Sequence, residues 1–95
     1  DIMNYIQDHL TETISMDSLA SVFYLSKYHM MRLFKAETGV TIGHYITYRR
    51  LLLARRYIHS GMPITDACFA CGFQSYSAFS RAYKQEFKEP PRKLK

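Results

Sequence analysis

With 95 residues and 47% apolar content, the chain is one small domain, or two very small modules sharing a seam, with enough apolar material for a core. No apolar run approaches the roughly 18 residues that a membrane span requires, and no signal-peptide pattern opens the chain. The net charge of +5 is unevenly spread: residues 1–26 hold Asp1, Asp8, Glu12 and Asp17 without a single Lys or Arg, and the remainder holds all 13 Lys and Arg against four acids, a balance of +9. A basic body behind an acidic first helix favours a polyanionic partner over a merely solvated surface. The first residue is Asp1, not Met, so a piece excised from a longer protein is expected.

In chain order, Ile2, Ile6, His9 and Leu10 mark an amphipathic first helix. Ser15 is the N-cap of a short second helix carrying Leu19, Ala20 and Phe23, and Ser26 caps a third. Thr41 precedes a long fourth helix, which Gly61 is placed to end in the left-handed conformation. Pro63 opens a fifth helix that stops at Gly72, Ser75 caps a sixth, and Pro90-Pro91 ends it and can start a final turn. Strand patterning is absent. The expected class is all-α, with six or seven helices and short loops.

The chain says nearly the same thing twice. SKYHMMRLFKAE at 26–37 and SYSAFSRAYKQE at 75–86 align at an offset of 49, pairing Ser26 with Ser75, Arg32 with Arg81, Lys35 with Lys84 and Glu37 with Glu86. Ahead of each copy a small residue, Ala20 or Cys68, stands four positions before a turn at Tyr24 or Gly72. Short helix, tight turn and second helix with a small residue at the crossing make a helix-turn-helix, present twice.

Projection at 100° per residue turns Met30, Leu33 and Phe34 of the third helix toward a core and Tyr28, Arg32 and Lys35 away from it, with Met31 on a flank. Shifted by 49, Phe79, Ala82 and Tyr83 turn inward and Ser77, Arg81 and Lys84 outward, with Tyr76, Ala78 and Ser80 on the flanks. Such a helix fits the major groove of B-DNA. Tyr28, Met31, Arg32, Ser77, Ala78 and Arg81 are the base-edge candidates; Lys27, Lys35, Tyr76 and Lys84 are the phosphate candidates. The bland alternative for Arg32 and Arg81, ordinary exposed residues paired with Glu37 or Glu86, stays open for each alone, but recurrence in both copies favours DNA contact. The helix between the copies, about 28 Å long, can hold two reading helices near one helical repeat apart. Ile46, Ala54, Tyr57 and Ile58 form its core stripe, while Arg49, Arg50, Arg55 and Arg56 are read mainly as surface charge or structural ion pairs, with one or two left as phosphate contacts.

LA at 19–20, SKYHMMRLFKAETG at 26–39, YI at 45–46, Arg50 with Ala54, Ile64, GF at 72–73, FSRAYK at 79–84 and PP at 90–91 carry a resemblance to the C-terminal DNA-binding domain of AraC/XylS-type bacterial transcription regulators over essentially the whole chain. The resemblance implies a first helix-turn-helix subdomain at 1–40, a linker helix at 41–60 and a second subdomain at 61–95, with recognition helices at about 27–38 and 76–87 entering successive major grooves of double-stranded DNA. It implies a cytoplasmic regulator, commonly an activator that contacts RNA polymerase, with a separate N-terminal sensing and dimerising domain in many members. Four positions depart from the pattern: Tyr24 stands where the first turn usually has Gly, Ala78 where an aromatic is frequent, Lys88 where Gly follows the sixth helix, and Leu94-Lys95 where Tyr-Arg is common.

Other motifs look chemical but are weaker. Cys68 and Cys71 form CFAC without the further ligands zinc needs, at a helix end where redox pairs usually sit at a helix start, so buried thiols at a helix crossing are expected. His9, His29, His44 and His59 show no ligand spacing. Neither a nucleophile–base arrangement nor a phosphate loop is present, so no catalysis and no cofactor are expected. The rival to DNA binding is a helical protein-interaction module whose basic face meets an acidic partner.

Overall fold

The computed structural model describes residues 1–92. Among them are six helices: α1 (Ile2–Asp8), α2 (Met16–Val22), α3 (Lys27–Thr38), α4 (Ile42–His59), α5 (Ile64–Ala70) and α6 (Tyr76–Phe87). The turn expected after Pro90-Pro91, together with Leu94 and Lys95, reaches outside the described residues.

Hydroxyl caps set four of the helix starts. Ser15 accepts from the Ser18 amide at 3.0 Å, Ser26 from His29 at 3.1 Å, Thr41 from His44 at 3.1 Å and Ser75 from Ala78 at 3.3 Å. Each cap satisfies one of the amides that a helix start leaves without an intrahelical partner. Asp1 does the same for α1 through the Asn4 amide at 2.9 Å. At the far ends, α3 stops at Gly39 and α6 at Lys88, both left-handed, with amides that donate to Lys35 and Lys84 at 2.8 Å. Lys88, then, ends α6 before the prolines are reached: its positive φ of 64° already turns the chain away.

The two helix-turn-helix copies have the same backbone. Leu25 donates to the Ala20 carbonyl at 3.0 Å, and Phe73 to the Cys68 carbonyl at 3.2 Å. Both turns need a residue at positive φ: Gly72 at 106° and Tyr24 at 57°. Glycine adopts that region freely, whereas a side chain pays roughly 1–2 kcal/mol for it. Tyr24 takes the strained geometry with its ring 96% exposed, so packing returns nothing to offset the cost.

Two apolar cores form along the chain. The first gathers Ile6, Leu10, Leu19, Ala20, Met30 and Phe34 around Ile42 and Ile46. The second gathers Ala67, Cys68, Cys71, Phe79 and Tyr83 around Leu51, Ala54 and Ile58. Met30 and Phe79, equivalent at the offset of 49, are both fully buried, each worth about 1.5–3 kcal/mol of transfer free energy. Phe79 also meets the rings of Phe73, Tyr76 and Tyr83 at 5.2, 5.9 and 5.6 Å. Leu33, expected inside, is 38% exposed. It lies about 80° around α3 from the axis through Met30 and Phe34, beyond the narrow stripe that a domain this small can cover.

α4 belongs to both cores and gives each a different face. At 100° per residue, Ile42 and Ile46 centre about 130° away from Leu51, Ala54 and Ile58. Sequence reading places Ile46, Ala54, Tyr57 and Ile58 inside; Ile46, Ala54 and Ile58 are buried and Tyr57 is half-buried against the second core, while Ile42 and Leu51, which it omits, are buried too. Leu53 packs against both cores. Arg50, at an angle between the two faces, donates from Nε to the Leu10 carbonyl at 2.8 Å and from Nη2 to the Glu12 carbonyl at 2.6 Å. Beside it lies Gly72, where a Cβ would stand 2.8 Å from Arg50 Nε and 3.1 Å from the Leu10 oxygen. Gln74 reaches across the same junction to Thr13 at 3.4 Å. The molecule measures 46 × 22 × 20 Å.

The expectation of surface charge or ion pairs for the arginines of α4 is corrected for three of them. Arg50 caps carbonyls. With the Gln7 amide oxygen turned toward it, Arg49 donates from Nη2 and Nε at 2.6 and 2.7 Å. Arg55 lies 4.1 Å over the ring of Phe87, a cation–π contact. Among the described residues the ion pairs are His9–Glu12, Lys27–Asp17 and Arg92–Glu89, none of them on α4. The carbonyls that Arg50 binds, those of Leu10 and Glu12, lie in the loop that follows α1, where no helix partner satisfies them.

Two predictions follow from this packing. Tyr24→Gly should stabilise the fold by about 0.5–1 kcal/mol, the left-handed strain released less the entropy that glycine adds to the unfolded chain. The midpoint of thermal denaturation should rise by about 2–8 °C; a fall would show that the tyrosine ring contributes where no contact is seen.

Cys68 and Cys71 are free, fully buried thiols, and burial pushes Cys71 from an ordinary 9.0 up to about 11. The folded thiol keeps its proton to higher pH than the unfolded one. Its contribution to stability is therefore whole below about pH 9 and is lost as pH rises through about 11. Alkylation at pH 8 should be slow until urea unfolds the chain. Equal rates with and without urea would contradict a closed second core.

Candidate nucleic-acid interface

α3 and α6 each bury one face and leave the other open. On α3, Tyr28 is 74% exposed and Met31 41%, and Arg32 and Lys35 are exposed with them. Lys27 is half-buried and pairs with Asp17 of α2 at 3.5 Å, so this phosphate candidate already has an anionic partner within the fold. On α6, Ser77, Ala78, Arg81 and Lys84 are exposed. Tyr76 is 41% exposed and leans its ring toward Phe79.

Tyr28, Arg32 and Lys35 fall within about 60° of one another around α3, and Ser77, Arg81 and Lys84 do so around α6. All six point away from the buried pairs Met30–Phe34 and Phe79–Tyr83. Neither Arg32 nor Arg81 joins Glu37 or Glu86 in an ion pair among the described residues. Each guanidinium therefore keeps its fork of donors free for a planar, two-point acceptor such as a guanine edge or a phosphate.

α2 and α5 carry acids in their first turns, Asp17 and Asp66, whereas α1, α3, α4 and α6 carry none, so the helix starts do not single out the two outward-facing helices. Along the flank of α3, an open depression of about 390 Å³ is lined by Met31, Arg32 and Lys35 and by Thr41, Ile42 and Gly43 at the start of α4.

No group of three or more His, Cys, Asp or Glu side chains is placed to hold a metal among the described residues, and none of the described helices is long and apolar enough to cross a membrane.

A family profile described as a helix-turn-helix domain matches residues 19–95. The chain is 34% identical over 95 residues to the HTH-type transcriptional activator RhaS of Enterobacter sp. (strain 638), covering 99% of this chain and 34% of that protein. It thus spans about a third of the length of the curated relatives it matches. A solved transcriptional regulator from Chromobacterium violaceum, described as containing an AraC-type DNA-binding domain, is similar at 29% identity and a TM-score of 0.86, over 96% of this chain and 82% of that one. The DNA-binding domain of AdpA, solved in complex with a target DNA, shares the fold with a TM-score of 0.88 at 23% identity, over 95% of this chain and 82% of that one. This chain belongs to the AraC/XylS family of transcription-regulator helix-turn-helix domains, a family that binds DNA and is not one of enzymes.

Proposed function

We propose that this chain reads duplex DNA with two helices at once, α3 and α6 entering successive major grooves on one side of the duplex. In this reading residues 1–40 and 61–95 are the two reading subdomains, and residues 41–60 are the helix that spaces them. One observation carries it: the same outward Arg and Lys recur at an offset of 49 on two helices whose inner faces are buried alike. α4, 18 residues long, spans about 27 Å, comparable to the roughly 34 Å between major grooves one turn apart.

Arg32 and Arg81 are assigned to base edges, with Tyr28, Met31, Ser77 and Ala78 beside them. Lys35 and Lys84 are assigned to phosphates, with Tyr76 and the partly engaged Lys27 at the edges. We further infer a cytoplasmic regulator whose full length adds a sensing domain ahead of this one and which contacts RNA polymerase. The support is the family and the threefold greater length of RhaS, itself named an activator.

Selection of bound sequences from random duplexes supplies the site on which two outcomes are expected. If six phosphates are neutralised, log K should fall against log salt with a slope of about −5. A flat response would instead assign the basic face to an acidic protein partner.

Arg32→Ala and Arg81→Ala should leave the fold intact, since both side chains are exposed. Each should weaken binding by about 1–3 kcal/mol, confined to sites that carry the preferred base at that position. An equal loss on every sequence would move that arginine to the phosphate class.

A further inference from the structure

Of the buried residues of α4, the first core takes only Ile42 and Ile46, near the helix start; half-buried Tyr45 and Leu53 add to that grip. The second core holds the same helix from Leu51 to Ile58, on a face about 130° away. Apolar contacts are non-directional and resist a small pivot about the helix weakly. A pivot of about 10°, acting over half the roughly 34 Å between reading helices, displaces one of them by about 3 Å, close to the rise of one base pair. The spacing of the two helices therefore needs a second point of attachment.

Arg49 with Gln7 of α1 supplies one such tie near the first core, and Arg50 supplies another at the junction of the two cores. Arg50 stands four residues beyond Ile46, between the two faces, and its guanidinium ties the carbonyls of Leu10 and Glu12, in the loop after α1, to α4. Two donors on a planar group fix an angle as well as a distance. Burial lowers the pKa of Arg50, although Cys71 of the second core acts in the opposite sense; at any physiological pH the group stays charged. Gly72 of the second turn leaves room for the guanidinium, and the Gln74–Thr13 contact crosses the same junction. The loop after α1, the middle of α4 and the turn before α6 thus meet at one side chain.

We propose that Arg50 is a positioning residue that sets the phase between the two reading helices, so that the domain prefers one spacing between the two halves of its site. The assignment of α3 and α6 to two grooves rests on the reading above; the coupling itself does not require DNA.

The test measures both. Glu37→Cys and Gln85→Cys place spin labels on exposed positions of α3 and α6, while Cys68 and Cys71, buried, stay unlabelled. Pulsed dipolar spectroscopy on the DNA-free protein should give a narrow distance distribution with Arg50 and a broader one with Arg50→Met. Arg50→Lys keeps the charge and the stem but offers a single donor group; it should also broaden the distribution, and it serves if the Met variant does not fold. On DNA, wild type should favour the selected spacing over sites with one base pair inserted or removed by about tenfold or more, and Arg50→Met by less than about threefold. Affinity for a site with one half scrambled, and the salt slope, should match wild type.

An unchanged distance distribution in both variants overturns the proposal. So does a salt slope reduced by about one, which would make Arg50 a phosphate contact. A wild type indifferent to spacing would sink the two-groove reading alone, and the distance distribution would still decide whether Arg50 couples the two halves.

Discussion

One helix has to satisfy two cores, and most of the architecture follows from that. α4 offers Ile42 and Ile46 to one side and Leu51, Ala54 and Ile58 to another. A helix with a single apolar stripe anchors one partner; two stripes about 130° apart anchor two, and leave charged positions between and opposite them. The arginines of α4 occupy those positions, and three of them are spent on the fold: on Gln7, on the carbonyls of Leu10 and Glu12, and on the ring of Phe87. Three of the chain's 13 Lys and Arg are thus engaged by the fold itself. What remains free on the outer faces of α3 and α6 is smaller than the net charge suggests.

Local chemistry was legible in the sequence because it is short-range. A serine or threonine three residues before an amide that needs a partner makes the same cap in any context, and Ser15, Ser26, Thr41 and Ser75 all do so. The repeat at 49 was legible because each copy folds on its own small core, keeping Met30 and Phe79 equivalent. Leu33 was misread, since periodicity gives the direction of a stripe but not its width. Leu51 was missed because a second stripe on one helix blurs the period that reveals the first. Arg50 carries no local sign of its partners, 38 and 40 residues away. Those partners are backbone carbonyls of the loop after α1, which no side-chain pattern advertises.

The two outward faces share their charges but not their shapes. α3 adds Tyr28 and Met31, large and exposed, beside its Arg and Lys. α6 adds Ser77 and Ala78, while its one exposed aromatic, Tyr76, leans toward Phe79. Exposed apolar area therefore concentrates on α3, and small and hydroxyl-bearing side chains on α6. On the two-groove proposal, the halves of a site that suits this chain differ from one another.

The residues at the two turns carry the same asymmetry into the packing of the fold. Tyr24 and Gly72 occupy equivalent positions, yet one looks onto solvent and the other onto Arg50. Exchanging the copies would bring the tyrosine Cβ into the place now left empty, 2.8 Å from Arg50 Nε, while the glycine would lose nothing by moving out. The two halves are distinct parts, and the order in which they occur along the chain is written into its packing.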